Sequence, residues 1–349
     1  MKLAIIAPPF LSIPPKRYGG TELFISELTA GLAKAKVDVV LYTNAESTLN
    51  VPRKWLYEKE DWPIRNETES LLKALNHTAW AVKDIAAEAD ILHLNSAPGL
   101  CLSRFVDVPV VYTVHHAHEP EMASYYSMLP EANYVTISDF QRERMRTPRI
   151  RTIHHGTDPS RYRSQIKKQP YLSFLGRIAP PKGVHLAIEI AKKAGIPLKI
   201  AGEIQPLYRD YWESVVKPQI DGKFIEFIGE VGLEGKNELL GNSMAMLFPI
   251  EWDEPFGLVL IEAMACGTPV LAMPRGSVPE IVCEGISGHI RQTPDELAEC
   301  AKNLSIDPSG VRRYMEKFFS AERMVRDYLD LYSQVFQERV EKLKEPEVA

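Results

Sequence analysis

Apolar runs of strand length recur along the chain and are separated by segments with the spacing of amphipathic helices. The clearest helical segments are Glu22–Ala33 and Val184–Ala194. Runs that are apolar throughout predict strands buried on both faces, and their alternation with helices predicts parallel sheets. The predicted strands are Leu3–Ala7, Val37–Tyr42, Ile91–Leu94, Val108–Val114, Tyr134–Ile137, Tyr171–Leu175, Leu198–Ala201, Phe224–Ile228, Ala245–Pro249 and Pro269–Ala272.

The pattern of strands and helices starts again at Tyr171, after the polar and basic stretch Asp158–Pro170. A chain of 349 residues is also longer than one hydrophobic core usually supports. The sequence therefore predicts an α/β fold with two similar domains, residues 1–165 and residues 166–325. The segment Ala321–Glu345 predicts one long amphipathic helix.

Composition and charge narrow the class of protein. The net charge of −5 is mild, which argues against a general nucleic-acid binder. The four cysteines form no CxxC pair and no zinc spacing, so we expect reduced thiols and a cytoplasmic protein. The apolar run Lys2–Ala7 is too short for a signal peptide, and no segment approaches about 18 apolar residues.

Two carboxylates, Glu254 and Glu262, stand eight positions apart and enclose a proline, a glycine and an apolar run. The proline and the glycine predict that Glu254 lies in a loop and that the amides of Phe256, Gly257 and Leu258 open a helix. Glu262 then falls in the second turn of that helix. A carboxylate beside free N–H groups suits a ligand with many hydroxyls next to an anion, such as a sugar attached to a phosphate.

Two glycine-containing loops suit phosphate groups. Gly19 and Gly20 precede a predicted helix, where a phosphate can approach the backbone, although a flexible turn is an alternative. This loop matches neither GxGxxG nor a Walker A sequence, which disfavours dinucleotide and P-loop functions. Gly176 ends a predicted strand and is followed by Arg177 and Lys182. These two cations can clamp a diphosphate, unless they are ordinary surface charges.

Three histidines, His115, His116 and His118, follow the end of another predicted strand. They could bind a metal, line a cleft as hydrogen-bonding groups, or have a structural role. Their spacing matches no zinc pattern and no cysteine lies near, so we expect hydrogen bonding in preference to a metal site.

The stretch from Arg142 to Lys168 carries nine cations against two anions. This local excess is hidden by the charge of the whole chain. It is either the solvated face of a linker or a patch that contacts anionic lipid or an acidic acceptor. The second alternative would place the protein peripherally on the inner face of a membrane.

With these motifs in their order, the chain resembles the family 4 retaining glycosyltransferases, the group 1 or glycogen-synthase-like enzymes of the GT-B fold. The resemblance covers nearly the full length and implies two Rossmann-like, doubly wound domains that face each other across a cleft. It also implies that residues 326–349 form a helix that packs back on the first domain. The motifs that carry it are Gly19-Gly20, Thr113-x-His115, His155-Gly156-Thr157-Asp158, Gly176-Arg177 to Lys182, Gly202-Glu203, the acid pair, Ala265–Val270 and Pro279–Val282.

The resemblance implies roles for the site residues. Arg177 and Lys182 bind the donor diphosphate as catalytic residues. Glu254 holds the donor sugar, and His115 reaches that sugar from the other domain. Glu262 holds the ribose hydroxyls. The other implied donor-binding residues are Gly19, Gly20, Gly176, Glu230, Val231, Phe256, Gly257 and Leu258, with Glu230 and Val231 against the base.

The implied reaction moves a hexosyl group from a nucleoside-diphosphate sugar to an acceptor hydroxyl with retention of configuration. The frequency of donors in the family favours UDP-glucose or a relative. Because Arg177, Lys182 and two helix N-termini stabilise the leaving diphosphate, no metal and no cofactor are expected. In a front-face transfer, the departing phosphate oxygen takes the proton of the acceptor hydroxyl.

The acceptor is expected to be a small molecule, a glycan or a lipid, in contact with Tyr18, His116, His118 and Tyr125. A nucleotide-sugar epimerase and a non-catalytic nucleotide-sugar binder remain as alternatives. His155 departs from the family, which often has Asn at this position, and it has no assigned role. The sequence indicates no oligomeric state.

Overall fold

The computed structural model describes residues 1–17 and 19–344 and divides the chain into two compact units. Unit 1 contains Met1–His155 and the segment that begins at Ala321, and unit 2 contains Gly156–Ser320. The divisions fall at 155/156 and 320/321, whereas the sequence predicted 165/166 and 325/326. The first difference arises because the predicted linker packs into unit 2, where the Arg163 amide donates to Asn237 Oδ1 at 2.7 Å.

The first part of unit 1 is a sheet of seven parallel strands flanked by helices. The strands are β1 (Lys2–Ile6), β2 (Asp38–Asn44), β3 (Arg53–Tyr57), β4 (Ile91–Leu94), β5 (Val110–Val114), β6 (Asn133–Thr136) and β7 (Ile150–Thr152). The helices are α1 (Gly20–Lys34), α2 (Glu67–Ile85), α3 (Pro120–Ser127) and α4 (Asp139–Arg142), with a 3₁₀ segment at Ala97–Phe105. The order β3-β2-β1-β4-β5-β6-β7 is that of a doubly wound sheet.

Successive residues of the central strands face opposite layers of helices. Leu3 and Ile5 of β1 are buried in the core that includes α1 residues, whereas Ala4 and Ile6 are buried in the core that includes α2 and α3 residues. Because both faces of the sheet are covered, these strands need apolar side chains at every position. This requirement explains the continuous apolar runs of the sequence.

Unit 2 repeats the architecture with six parallel strands in the order β10-β9-β8-β11-β12-β13. The strands are β8 (Gln169–Leu175), β9 (Leu198–Ala201), β10 (Ile225–Phe227), β11 (Ser243–Phe248), β12 (Val270–Ala272) and β13 (Gly288–Ile290). The helices are α5 (Val184–Ala194), α6 (Arg209–Tyr211, continued by a π-helical turn at Trp212–Val216), α7 (Leu233–Asn242), α8 (Leu258–Ala265), α9 (Val278–Ile281), α10 (Pro294–Lys302) and α11 (Pro308–Phe319).

The last helix, α12 (Ala321–Lys344), returns the chain to unit 1 and packs on α1 and the sheet. A buried polar network anchors it: Thr113 Oγ1 lies 2.8 Å from both Tyr328 OH and His93 Nε2, and Tyr332 OH lies 2.7 Å from His93 Nδ1. Burial lowers the pKa of His93 to about 3, so the ring is neutral in this network. The predicted helix end at Glu345 lies outside the described residues.

Each predicted strand corresponds to a strand of the structure, with ends that agree within two residues, and α5 has the predicted bounds. The strands that were not predicted are β3, β7 and β13, all of which lie at sheet edges. Within the described residues, no helix combines the length and the apolar character needed to cross a membrane.

Candidate active site

In unit 2 the strand order reverses at β8, because the chain proceeds from β8 to β9 and β10 and then crosses to β11 on the other side. The loops that follow β8 and β11 diverge at this point, which is where open α/β sheets bind ligands. Arg177 and Lys182 lie in the first loop and Glu254 lies in the second. The fold therefore brings together two motifs that are far apart in the sequence.

Backbone contacts hold the loop after β8 in place. The amide of Ile178 donates to Glu203 O at 2.9 Å, which ties the loop to the one after β9. Gly183, directly after Lys182, has a φ of 70°, and a Cβ atom there would lie 1.9 Å from Pro249 O. Only glycine permits this approach, so the backbone that carries Lys182 is pressed against the end of β11.

A charged pair forms the centre of the unit 2 site. Lys182 Nζ lies 2.6 Å from Glu254 Oε2, and Trp252 Nε1 donates to the same oxygen at 3.0 Å. The side chains of Lys182 and Glu254 are only 15% and 9% exposed. Burial lowers the pKa of Lys182, an effect that Glu254 opposes and Arg177 increases. A cation held this way provides a positive charge for a ligand anion.

The backbone of Glu254 is held from the neighbouring loop. The Ser277 amide donates to Glu254 O at 3.0 Å, and Ser277 Oγ donates to Phe256 O at 2.8 Å. A Cβ atom on Gly276 would lie 2.3 Å from Glu254 O, so this glycine is required by close packing. Gly257, at φ 85°, caps α8 as the sequence predicted, and the helix begins at Leu258. The ring of Phe256 is buried, so only its backbone can serve a ligand.

Glu262 lies in the second turn of α8 and is 3% exposed. Its Oε1 accepts hydrogen bonds from Tyr162 OH at 2.9 Å and from Lys236 Nζ at 2.7 Å. Neither partner was expected from the sequence, because both come from distant segments with no motif of their own. Two donors on one oxygen fix the carboxylate in a single orientation.

The remaining predicted donor residues lie at the same edge of the sheet. Gly176 directly follows β8, and Gly202 approaches it so closely that a Cβ atom would lie 1.7 Å from Gly176 O. Glu230 and Val231 lie between β10 and α7. Val231 packs against Gly235 of α7, where a Cβ atom would lie 2.8 Å from Val231 Cβ. These residues therefore all lie at the carboxyl edge of the unit 2 sheet.

In unit 1 the predicted phosphate loop follows β1 at the corresponding reversal of strand order. Gly19 caps α1 with a φ of 142°, and the helix begins at Gly20. The carboxyl group of Glu22 lies beside this loop, so close that a Cβ atom on Gly19 would be 2.9 Å from Glu22 Oε2. Burial raises the pKa of Glu22 to about 7. Tyr18, a predicted acceptor residue, lies outside the described residues.

His115 directly follows β5, and Asn95, which the motifs did not indicate, follows β4. His115 Nε2 lies 2.9 Å from Asn95 Oδ1, and Asn95 Nδ2 donates to Ile6 O at 3.3 Å. Because the amide nitrogen of Asn95 is the donor, its oxygen accepts, and His115 carries its proton on Nε2. Burial, helped by His155 and His93, lowers the pKa of His115 well below its usual value. The ring is therefore neutral.

His155, which had no assigned role, supports His115. The two rings stack with centroids 5.7 Å apart, and Phe24 of α1 lies 4.6 Å from His155 and 5.0 Å from His115. Burial lowers the pKa of His155 to about 3. The three rings form an uncharged stack at the carboxyl edge of the unit 1 sheet.

The predicted acceptor residues of unit 1 have different surroundings. His116 Nε2 bonds to the buried Tyr126 hydroxyl, and Gln141 Nε2 donates to His116 O at 2.8 Å, so His116 stabilises its own loop. Tyr125 is partly buried on α3, and burial raises its pKa to about 12. His118 is partly exposed. His115 and His116 thus bond to separate partners, and His118 and Tyr125 are partly exposed.

The basic stretch from Arg142 to Lys168 is divided between the two units, with its residues up to His155 in unit 1 and the rest in unit 2. Lys168 is half-buried, and its Nζ donates to Gly241 O, Cys266 O and Thr268 Oγ1, each at 2.9 Å. Burial lowers the pKa of this amine to about 8. Arg142 pairs with Asp139, whereas Arg144 and Arg146 are exposed.

A cavity of about 280 Å³ in unit 1 lies apart from the predicted catalytic and binding residues, although Arg149 of the basic stretch lines it. It is lined by Val110 and Asn133, which begin β5 and β6, and by Val335 and Arg339 of α12. This is the amino edge of the sheet, opposite to the edge that carries His115. None of the predicted site residues lines the cavity.

Several solved structures that resemble this chain are glycosyltransferases. HepE of Anabaena in complex with UDP has a TM-score of 0.76 to this chain at 19% identity, and the match covers 96% of this chain and 100% of that chain. HepE has also been solved with UDP-glucose, with a TM-score of 0.74 at 18% identity and coverage of 96% and 100%. At these identities the likeness establishes the fold, which is the GT-B fold of two doubly wound units.

Family models identify the chain more closely. A model of glycosyl transferases group 1 matches residues 158–318, and a model of glycosyltransferase family 4 matches residues 18–161. The chain belongs to this family of group 1, family 4 glycosyltransferases, and the resemblance predicted from the motifs is confirmed.

Curated relatives lie in the same family. An alpha-maltose-1-phosphate synthase of Mycolicibacterium smegmatis is 26% identical over 357 residues, which cover 86% of this chain and 90% of that protein. A probable sucrose-phosphate synthase of Thermosipho melanesiensis is 29% identical over 166 residues, which cover 44% of this chain. The match spans only 39% of the length of this second relative.

Proposed function

We propose that the protein transfers a hexosyl group from a UDP-sugar, UDP-glucose or a relative, to an acceptor hydroxyl with retention of configuration. The observation that carries the proposal is the Lys182–Glu254 pair at the reversal of strand order in unit 2. It combines a cation for a diphosphate with a carboxylate for sugar hydroxyls. The complexes of the structural neighbour HepE with UDP and UDP-glucose support this choice of donor.

In this proposal the charges of unit 2 act on the leaving diphosphate. Arg177 and Lys182 neutralise the phosphate oxygens as negative charge develops, and the N-terminus of α8 adds amides for the donor. Glu254 accepts hydrogen bonds from the sugar hydroxyls. Glu262 accepts from the ribose hydroxyls through its second oxygen, since Tyr162 and Lys236 both bind Oε1. The departing phosphate oxygen takes the acceptor proton.

The proposed chemistry needs no bound metal, because the positive charge comes from side chains and helix N-termini. Full activity in the presence of a strong chelator is the expected result. An absolute requirement for added Mg²⁺ or Mn²⁺ would contradict it, because the two cations and the amides would then be insufficient.

Three substitutions in unit 2 test the assignment. Glu254→Ala should remove transfer and largely spare UDP binding, since the carboxylate serves the sugar. Arg177→Ala and Lys182→Ala should weaken both UDP binding and transfer. Lys217→Ala is the matched control, because this lysine is exposed and pairs only with Glu213 on its own helical segment. Equal activity in the three site variants and the control would defeat the assignment.

A thermal-shift screen of nucleotide sugars, followed by mass spectrometry of the products, identifies the donor. NMR of the product then gives the anomeric configuration, and an inverted product contradicts retention. Conversion of the donor to another sugar nucleotide without an acceptor would instead indicate an epimerase. Binding of UDP without hydrolysis or transfer to any acceptor would indicate a non-catalytic binding protein.

We propose a small molecule, a glycan or a lipid as the acceptor, bound by unit 1 next to His118 and Tyr125. Peripheral contact with a membrane would use exposed cations of the basic stretch, of which Arg144 and Arg146 lie in unit 1. Flotation with anionic vesicles is the test. Charge reversal at both arginines should reduce flotation, and unchanged flotation would exclude this surface.

A further inference from the structure

One oxygen of Glu254 receives two donors. Lys182 Nζ lies 2.6 Å and Trp252 Nε1 lies 3.0 Å from Glu254 Oε2. The ammonium of Lys182 also lies over the indole ring of Trp252, 4.4 Å from its centroid. The carboxylate, the ammonium and the indole therefore form a closed triangle in which each member contacts the other two.

In the proposed function, the donor diphosphate and Glu254 compete for the ammonium of Lys182. A nucleoside diphosphate offers oxygens with at least two negative charges, whereas Glu254 offers one, so Lys182 is drawn toward the donor phosphates. Once Lys182 turns away, Glu254 loses the cation that pairs with it. A carboxylate that is only 9% exposed is costly to leave without a donor. Another donor must then hold it at the sugar.

Trp252 meets this requirement by its chemistry. The indole N–H can only donate and does not titrate, so a diphosphate cannot compete for it as a charge partner. The ring face makes a cation–π contact with the ammonium of Lys182 before Lys182 moves to the donor. One side chain thus contacts both members of the pair and remains beside Glu254 when they separate.

The backbone around Trp252 is held without help from its side chain. The Glu251 amide donates to Pro181 O at 2.9 Å, and the Ser277 amide donates to Glu254 O at 3.0 Å. These bonds fix the loop on both sides of residue 252. The hydrogen bond from the indole to the carboxylate is therefore separable from the folding of the loop.

We propose that Trp252 is a positioning residue, which holds the Glu254 carboxylate at the donor sugar while Lys182 exchanges its partner from Glu254 to the donor diphosphate. The inference rests on the proposed function and adds a residue and a step to it. The exchange moves no covalent bond: Lys182 breaks its contact with Glu254 Oε2 and forms one with a phosphate oxygen.

Trp252→Phe tests the role, because it removes the N–H donor and keeps an aromatic ring, although a smaller one, beside Lys182. UDP should bind with an affinity within about twofold of the wild type, since UDP lacks the donor sugar, and water in that place can donate to Glu254 instead of the indole. The kcat/KM for the UDP-sugar should fall by about tenfold, the effect of one hydrogen bond to a charged group. The ratio of the affinity for the UDP-sugar to the affinity for UDP should fall by a similar factor.

Trp212→Phe is the matched control, because this tryptophan packs on Phe227, with ring centroids 4.5 Å apart, and does not contact the pair. It should leave kcat/KM and both affinities unchanged. Wild-type kcat/KM in Trp252→Phe overturns the inference. A parallel loss of UDP binding also overturns it, because Trp252 would then be a structural support of the whole site.

The indole N–H resonance of Trp252, assigned by its absence in Trp252→Phe, gives a readout independent of turnover. Adding UDP should shift it downfield, because the indole becomes the remaining donor to a carboxylate that Lys182 has left. Glu254→Gln should abolish this shift. An upfield shift toward the free indole position overturns this inference and leaves the proposed function standing. If no nucleotide or nucleotide sugar perturbs any resonance, the proposed function fails, and the exchange of Lys182 fails with it.

Discussion

Lowering the pH from about 7.5 to about 5 should destabilise unit 1 much more than unit 2. Unit 1 contains three histidines, His77, His93 and His155, that are at most 3% exposed. Burial lowers the pKa of His77 to about 4 and the pKa of His93 and of His155 to about 3. In the unfolded chain each ring regains its ordinary pKa of about 6.5.

Unit 1 loses stability as the pH falls because its buried histidines have lowered pKa values in the folded state. Above a pH of about 6.5 the rings are neutral in both states, so their burial in the folded state has no protonation cost. As the pH falls below this value, the unfolded chain binds protons that the buried rings do not, and stability is lost toward the folded pKa values. At pH 5 each ring contributes about 2 kcal/mol of destabilisation, and the three together about 6 kcal/mol. Glu22 of unit 1 opposes this, because its pKa is raised to about 7 and its protonation in the folded state offsets about 2 kcal/mol. Domains are stable by only about 5–15 kcal/mol.

Unit 2 provides the internal comparison. Its two histidines lie beside carboxylates, His185 at 3.3 Å from Glu251 and His289 at 2.7 Å from Glu284. Hydrogen exchange measured by mass spectrometry, corrected for the pH dependence of the chemical step, reports the opening of each unit separately. His77→Gln should remove about 2 kcal/mol of the loss in unit 1. Equal losses in the two units, or an unchanged pH slope in His77→Gln, would refute the reasoning.

Three further substitutions have definite expected outcomes. Lys168→Met removes three buried hydrogen bonds and should cost unit 2 about 3 kcal/mol in chemical denaturation. Gly276→Ala should lower kcat by about tenfold with intact UDP binding, because its Cβ atom would lie 2.3 Å from Glu254 O and displace that residue. Tyr328→Phe should lower the unfolding free energy of unit 1 by about 1 kcal/mol, because the buried Thr113 hydroxyl loses a partner. Wild-type values in any of the three would contradict the corresponding contact.

The interior strands could be predicted from the sequence because burial on both faces leaves an unbroken apolar run. The edge strands lack that constraint. In β3, Trp55 and Leu56 are exposed and the strand begins with Arg53 and Lys54, so its composition does not separate it from a loop. Only its pairing with β2 makes it a strand, and pairing of this kind is a property of the folded sheet.

The unit boundary could not be predicted from polarity alone. The stretch Asp158–Pro170 is polar and basic, which suggests solvent, yet Lys168 donates three hydrogen bonds inside unit 2. Its acceptors are up to 100 positions away, so nothing in the local sequence distinguishes it from a solvated lysine. A solvated linker and a polar segment whose side chains form internal hydrogen bonds have the same amino-acid composition.

The candidate site also contains residues that the sequence indicates through motifs and residues that it does not indicate. Arg177, Lys182, Glu254 and Glu262 belong to short motifs, and the rule that ligands bind at the reversal of strand order predicts that they meet. Lys236 contacts Glu262 from 26 positions away and has no motif. Trp252 is only two positions from Glu254, but its role depends on Lys182, 72 positions from that acid. Positioning residues are therefore the part of the site that requires coordinates.

The two units differ in how they carry charge at their carboxyl edges. Unit 2 presents a buried ion pair and a second carboxylate paired with a lysine, whereas unit 1 presents His115 and His155 as neutral rings. In glycosyl transfer, negative charge develops on the departing phosphate and positive charge develops on the sugar ring. A protonated His115 would oppose that second charge wherever it contacts the donor sugar. Burial against Phe24 and His155 prevents this protonation and leaves a hydrogen-bonding group without a charge. The stack of rings thus leaves His115 a hydrogen-bonding group without a charge, which is the property that a contact with the donor sugar would need under the proposed function.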